Sequence, residues 1–94
     1  MLTWKIEFKK SAYKELQKLS GDAQIRIIAF LENDLASTKK PDDLGKKLKG
    51  KFSDYYRFRV GKYRIITQIE NNIMIITVIS VGKREDVYKK MGYK

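Results

Sequence analysis

The 94-residue chain contains no cysteine and no histidine. Those two absences exclude disulfides, thiol nucleophiles, the usual structural zinc sites and imidazole acid–base chemistry. Any catalysis has to run on Lys, Arg, Tyr, Asp, Glu, Ser or Thr. Nor is there a run approaching the ~20 apolar residues that a membrane-spanning helix requires. The N-terminal MLTWKIEF lacks the order of basic, long apolar and small residues that marks a secretion signal, so the expected location is the cytoplasm. Length and a hydrophobic content of 43% predict one compact domain over residues 1–94. Such a chain buries a little over ~60% of its unfolded surface.

Negative charge is the scarcer sign. Against 21 Lys and Arg stand 11 Asp and Glu, a net charge of +10. The excess is concentrated. Residues 39–64 hold ten basic and three acidic residues, whereas residues 1–38 hold six and five. A field of this kind favours polyanions, most simply nucleic acid, with anionic membranes and acidic proteins as the other partner classes.

Hydrophobic periodicity predicts the elements. Leu2, Trp4, Ile6 and Phe8 alternate with Thr3, Lys5 and Glu7 as in a half-buried strand. Ser11 is placed to cap a helix carrying Ala12, Leu16 and Leu19. Ser20-Gly21 interrupts the pattern, and Asp22 then caps a second helix with Ile27, Ile28, Leu31 and Leu35. Ser37–Gly50 holds the only proline and predicts a solvated connection with a short helical turn. Tyr55–Val60, Tyr63–Glu70 and Ile73–Val81 follow as strands, with turns at Gly61-Lys62 and Asn71-Asn72. Arg84–Lys90 makes one or two turns of a fraying helix. The expected fold is α+β: an N-terminal strand, a helical hairpin, then an antiparallel three-strand meander with a short C-terminal helix. The helices cover one sheet face and leave the other open.

Within this frame the segment YYRFRVGKYR, Tyr55 to Arg64, carries chemistry. Strand side chains alternate, so Tyr56, Phe58 and Val60 enter the core while Tyr55, Arg57 and Arg59 project from the opposite face. Planar, permanently charged guanidinium groups in a row suit phosphate. Arg64 joins them if the Gly61-Lys62 turn sets the register. Lys46, Lys47, Lys49 and Lys51 would by themselves describe a solvated loop, but inside the basic middle third they are assigned, with Lys62 and Lys83, to RNA backbone contact. Tyr55, Tyr56 and Tyr63 are expected to pack rather than stack. Asp54 and Glu85 are expected to form ion pairs with neighbouring arginines.

Three phrases together resemble one family: KKLKG at Lys46–Gly50, YRFRVGKYRI at Tyr56–Ile65 and, most specifically, VISVGKREDVY at Val78–Tyr88. The chain resembles the RelE/ParE superfamily of type II toxins, and its RelE-like branch in particular. That resemblance implies a compact RelE-like ribonuclease fold and a ribosome-dependent endoribonuclease that cleaves messenger RNA and inhibits translation, held inactive by a cognate antitoxin. It implies metal-free, cofactor-free cleavage in which the ribose 2′-hydroxyl attacks the adjacent phosphate. It also places Arg57, Arg59, Arg64, Arg84 and Tyr88 in the catalytic set, with Arg64 and Arg84 clamping the phosphate and Tyr88 stacking on a base or orienting the ribose.

Relatives in that branch often carry Lys where Arg57 and Arg59 stand, and arginine does not release its proton. The base is left open among Tyr88, Lys62, Lys83, a ribosomal group and solvent. The antitoxin is expected to pack on the open sheet or the helical groove and to displace the tail from Arg84 onward. Two alternatives stand beside the nuclease. One is a ParE-like toxin that inhibits DNA gyrase by binding; the other is a catalytically weak RNA- or ribosome-binding relative.

Overall fold

The computed structural model describes residues 3–92. The first strand, β1, spans Lys5–Phe8, with Trp4 buried just before it; Leu2 lies outside the described residues. Helix α1, Lys10–Gln17, follows at once and buries Ala12 and Leu16, four residues apart and therefore on one helical face. Its N-cap is Lys9, which makes no side-chain cap bond. Ser11 sits exposed within the first turn instead of capping it.

Helix α2, Gly21–Ala29, is capped two residues before the expected Asp22. Ser20 is the N-cap, its side-chain oxygen accepting from the Ala23 N–H at 3.2 Å, and Asp22 falls in the first turn. A carboxylate there still favours the positive end of the helix dipole. The helix continues into a π-helical segment, Phe30–Leu35. Ala23, Ile27, Leu31 and Leu35 are buried along this length.

The connection at 37–50 is less solvated than its lysines suggest. Pro41 is buried at the start of a 3₁₀ turn, Pro41–Leu44, and Lys46–Lys47 form a short strand, β2. Leu48 is buried, and a second 3₁₀ turn, Gly50–Phe52, leads into the meander. Its strands are β3 (Tyr55–Val60), β4 (Tyr63–Glu70) and β5 (Ile75–Lys83), and α3 (Arg84–Met91) closes the described chain. Ile73 and Met74 belong to the β4–β5 turn, where Met74 has φ 54°, so β5 starts later and runs further than alternation predicts.

The sheet order is β1-β5-β4-β3-β2, antiparallel except where β1 runs parallel to β5. Between Ile66 and Thr67 the β4–β5 register shifts by one: Ile66 pairs with Ser80, Thr67 with Val78, and Ile79 is passed over. This bulge explains the unalternating IITVISV. It lets Val81, Val78 and Ile76 all reach the core beneath the helical hairpin, while Ile79 packs on the opposite side.

That opposite side is not open, as alternation alone suggests. Helix α3 and the segment at Leu48–Phe52 lie on it and build a second small cluster from Leu48, Ile66 and Val87, flanked by Phe52, Tyr55, Ile79, Tyr88 and Met91. A Cβ at Gly82 would lie 3.4 Å from Val87, so the glycine of the VGKRE phrase gives α3 close access to β5. The exposed remainder of this face carries the arginines.

Candidate RNA-cleavage site

Residues directly opposite in an antiparallel pair share a sheet face. Arg59 pairs with Arg64 and Arg57 with Ile66, which fixes the register left open by the turn. Lys46 of β2 pairs with Arg57, so the face carries Lys46, Arg57, Arg59 and Arg64 across three strands. Gly82 is the β5 partner of Arg64 and adds no side chain beside it. Lys46, Arg57 and Arg59, together with Asp43, Leu44 and Gly45, line a groove of about 380 Å³.

Helix α3 completes the site from above. The Arg57 Nη1 donates to the Tyr88 hydroxyl at 3.0 Å. The Arg84 guanidinium carbon lies 5.8 Å from the centroid of the same ring, within cation–π range. Tyr88 thus joins a β3 arginine to an α3 arginine. Arg57 and Arg64 are half-buried, and the Nε of each is buried without a hydrogen-bond partner among the described residues. Arg59 and Arg84 are exposed.

None of these four arginines forms an ion pair among the described residues, where the recorded pairs are Lys5–Glu7 and Lys90–Glu15. Asp54 and Glu85 are exposed and make no such pair, contrary to the expectation from their position in sequence. Like charges directly across a ladder destabilise it by a few tenths to ~1 kcal/mol. An anion bridging Arg59 and Arg64 removes that penalty, and phosphate fits their planar donors.

The lysines divide between two faces. Lys46 belongs to the arginine row. Lys47 pairs with Tyr56, which packs toward the main core, so it points to the hairpin side. Lys62 lies 5.6 Å from the Tyr63 ring centroid and lines a groove with Ser20, Asp22 and Arg26. Lys83 pairs with Tyr63 and lines a groove with Lys18 and Leu19. Lys49 and Lys51 are exposed around the second 3₁₀ turn, Lys51 lying 5.3 Å from the Phe52 ring centroid. Neither Lys62 nor Lys83 therefore faces the arginine row. Tyr56 and Tyr63 pack against the main core and Tyr55 against the second cluster, as expected.

Glu15 escapes the sequence reading altogether. Its carboxylate accepts from the Ser80 hydroxyl and the Val81 N–H and pairs with Lys90 at 2.9 Å. Those partners lie 65 to 75 residues away, and no local pattern announces them.

Residues 6–88 match the family described as the ParE toxin of the type II toxin-antitoxin system parDE. Toxin RelE3 of Methanocaldococcus jannaschii is 34% identical, over 89% of this chain and 94% of its own length. A putative RelE-like toxin protein of Escherichia coli is 32% identical, over 93% and 92%. In fold, the chain is similar to the toxin-antitoxin complex RelBE2 of Mycobacterium tuberculosis, with a TM-score of 0.81 at 24% identity, covering 89% of this chain and 94% of that one. With its strand–hairpin–meander order matched along nearly its full length, the chain belongs to the RelE/ParE superfamily of type II toxin-antitoxin toxins.

Proposed function

We propose that residues 1–94 form one toxin domain that cuts messenger RNA on the ribosome, in the cytoplasm and without a metal ion. The observation that carries this reading is the unpaired arginine cluster: Arg57, Arg59 and Arg64 on one sheet face, with Arg84 and Tyr88 brought to its edge by α3. In the reaction the 2′-hydroxyl loses its proton and its oxygen bonds to the adjacent phosphorus. The bond to the 5′ oxygen breaks, and that oxygen takes up a proton. Charge builds on the phosphate oxygens, and the positioned guanidinium groups stabilise it. Arg64 and Arg84 clamp the phosphate, Arg59 adds charge, and Arg57 fixes the Tyr88 ring against the substrate. The cognate antitoxin is the second partner. It is supported by the RelE-named relatives and by the toxin-antitoxin complex of like fold.

Primer extension on a reporter transcript, with and without its translation, tests the nuclease. Cuts within codons are expected only when the transcript is translated. Arg64→Ala or Arg84→Ala is expected to lower cleavage by roughly 10²–10³ and to restore growth while the folded circular dichroism spectrum persists. The match to a family described as ParE favours one second reading, inhibition of DNA gyrase by binding. Intact transcripts alongside inhibited supercoiling would select it. The RelE-named relatives and the complete arginine set weigh toward the nuclease.

A further inference from the structure

Strand β1 accompanies β5 only as far as Phe8, which pairs with Val78. Beyond that point the β5 edge would be bare, and bare edges expose backbone donors. Helix α1 takes the place of the missing strand. Its Glu15 carboxylate accepts from the Val81 N–H at 3.3 Å and from the Ser80 hydroxyl at 3.2 and 3.4 Å through its two oxygens. The Ile79 bulge brings these two groups to the edge together. The same carboxylate then receives the Lys90 ammonium at 2.9 Å, from the last turn of α3.

The geometry points to Glu15 as a positioning residue for the arginine site, a role that rests on the proposed nuclease reading. Glu15 touches no part of that site. It acts through Lys90, which ties the last turn of α3 to α1 and, through the Glu15 carboxylate, to the β5 edge; Arg84 opens the same helix and Tyr88 lies between. Helix α3 has one fully buried side chain, Val87, and eight residues. An isolated helix that short has little stability of its own. Its placement therefore depends on tertiary attachments, among them Val87 with Tyr88 and Met91 in the second cluster, Tyr88 on Arg57, and Lys90 on Glu15. Removing the last loosens the helix without touching a phosphate ligand. The Glu15 side chain is 16% exposed and that of Lys90 61%, so salt is expected to weaken the tie from the Lys90 side.

Two substitutions separate this role from simple edge covering. Glu15→Gln keeps an oxygen for the Ser80 and Val81 donors but loses the charge facing Lys90; Lys90→Met keeps the stem and removes the ammonium. On programmed ribosomes, each is expected to slow single-turnover cleavage roughly two- to five-fold, the population change that losing a part-exposed ion pair produces. The ribosome concentration giving half-maximal rate should stay unchanged. The double variant should be no slower than either single one, and Lys90→Arg should restore the rate. Hydrogen–deuterium exchange on the free protein supplies a second readout: faster uptake in residues 84–91 of both variants, with β5 unchanged. Wild-type cleavage together with wild-type exchange in the two variants would overturn the assignment, as would an effect of Glu15→Gln that Lys90→Met lacks. If the unmodified protein cuts no transcript, the nuclease reading fails. The exchange experiment then still decides whether Glu15 holds α3.

Discussion

A methyl group added at Gly45 would lie 2.6 Å from the Arg57 carbonyl oxygen and 2.7 Å from the Phe58 ring. Its backbone, at φ −131°, suits any residue, so the constraint is close approach alone. That approach lets β2 follow β3 and sets Lys46 opposite Arg57. Gly45→Ala is expected to cost about 1–3 kcal/mol, as overpacking in a tight contact does, and urea unfolding measures it. Arg59 tests the opposite balance. Replacing it by Thr removes a like-charge pair from the ladder and adds a β-favouring side chain, which should stabilise the fold by about 0.5 kcal/mol. The same change should slow RNA cleavage. A variant that lost both stability and activity would show that Arg59 supports the fold rather than spending stability on phosphate.

Among the elements, those with a clear period were legible. Alternation in YYRFRV and YRIITQIE marks β3 and β4, and the fourfold spacing of Ile27, Leu31 and Leu35 marks the hairpin. Where three-dimensional contact overrides local pattern, reading along the chain falls short. Strand β2 is two lysines long and exists because Gly45 allows the approach to β3. The β5 bulge breaks alternation so that Val78 and Val81, an odd number of residues apart, both face the hairpin core. Helix caps follow the same lesson. Ser20 outcompetes Asp22 because its oxygen meets the Ala23 N–H where the chain turns in. At the site, the five residues singled out by motif position, Arg57, Arg59, Arg64, Arg84 and Tyr88, lie on one sheet face or at its edge. Motif position could not sort the lysines, since strand pairing alone decides which face Lys46 and Lys83 occupy.

Across the whole molecule, a net charge of +10 is left largely uncompensated, with two ion pairs recorded among the described residues. Total charge draws in any polyanion; its arrangement decides where a strand lies. A single-stranded RNA bound along the arginine face releases counterions in proportion to the phosphates neutralised, with a slope of about −0.7 per contact in log affinity against log salt. Contacts from Lys46, Arg57, Arg59 and Arg64 therefore predict a slope near −3 for a short oligonucleotide between 50 and 200 mM salt, measurable by fluorescence anisotropy. Lys46→Ala should make that slope shallower by about 0.7, because its strand pairing puts it in the row. Lys83→Ala removes the same unit of charge from the hairpin side and should leave the slope unchanged. Equal losses from the two variants would mean that RNA responds to the overall field and that the ordered arginine face does not guide it.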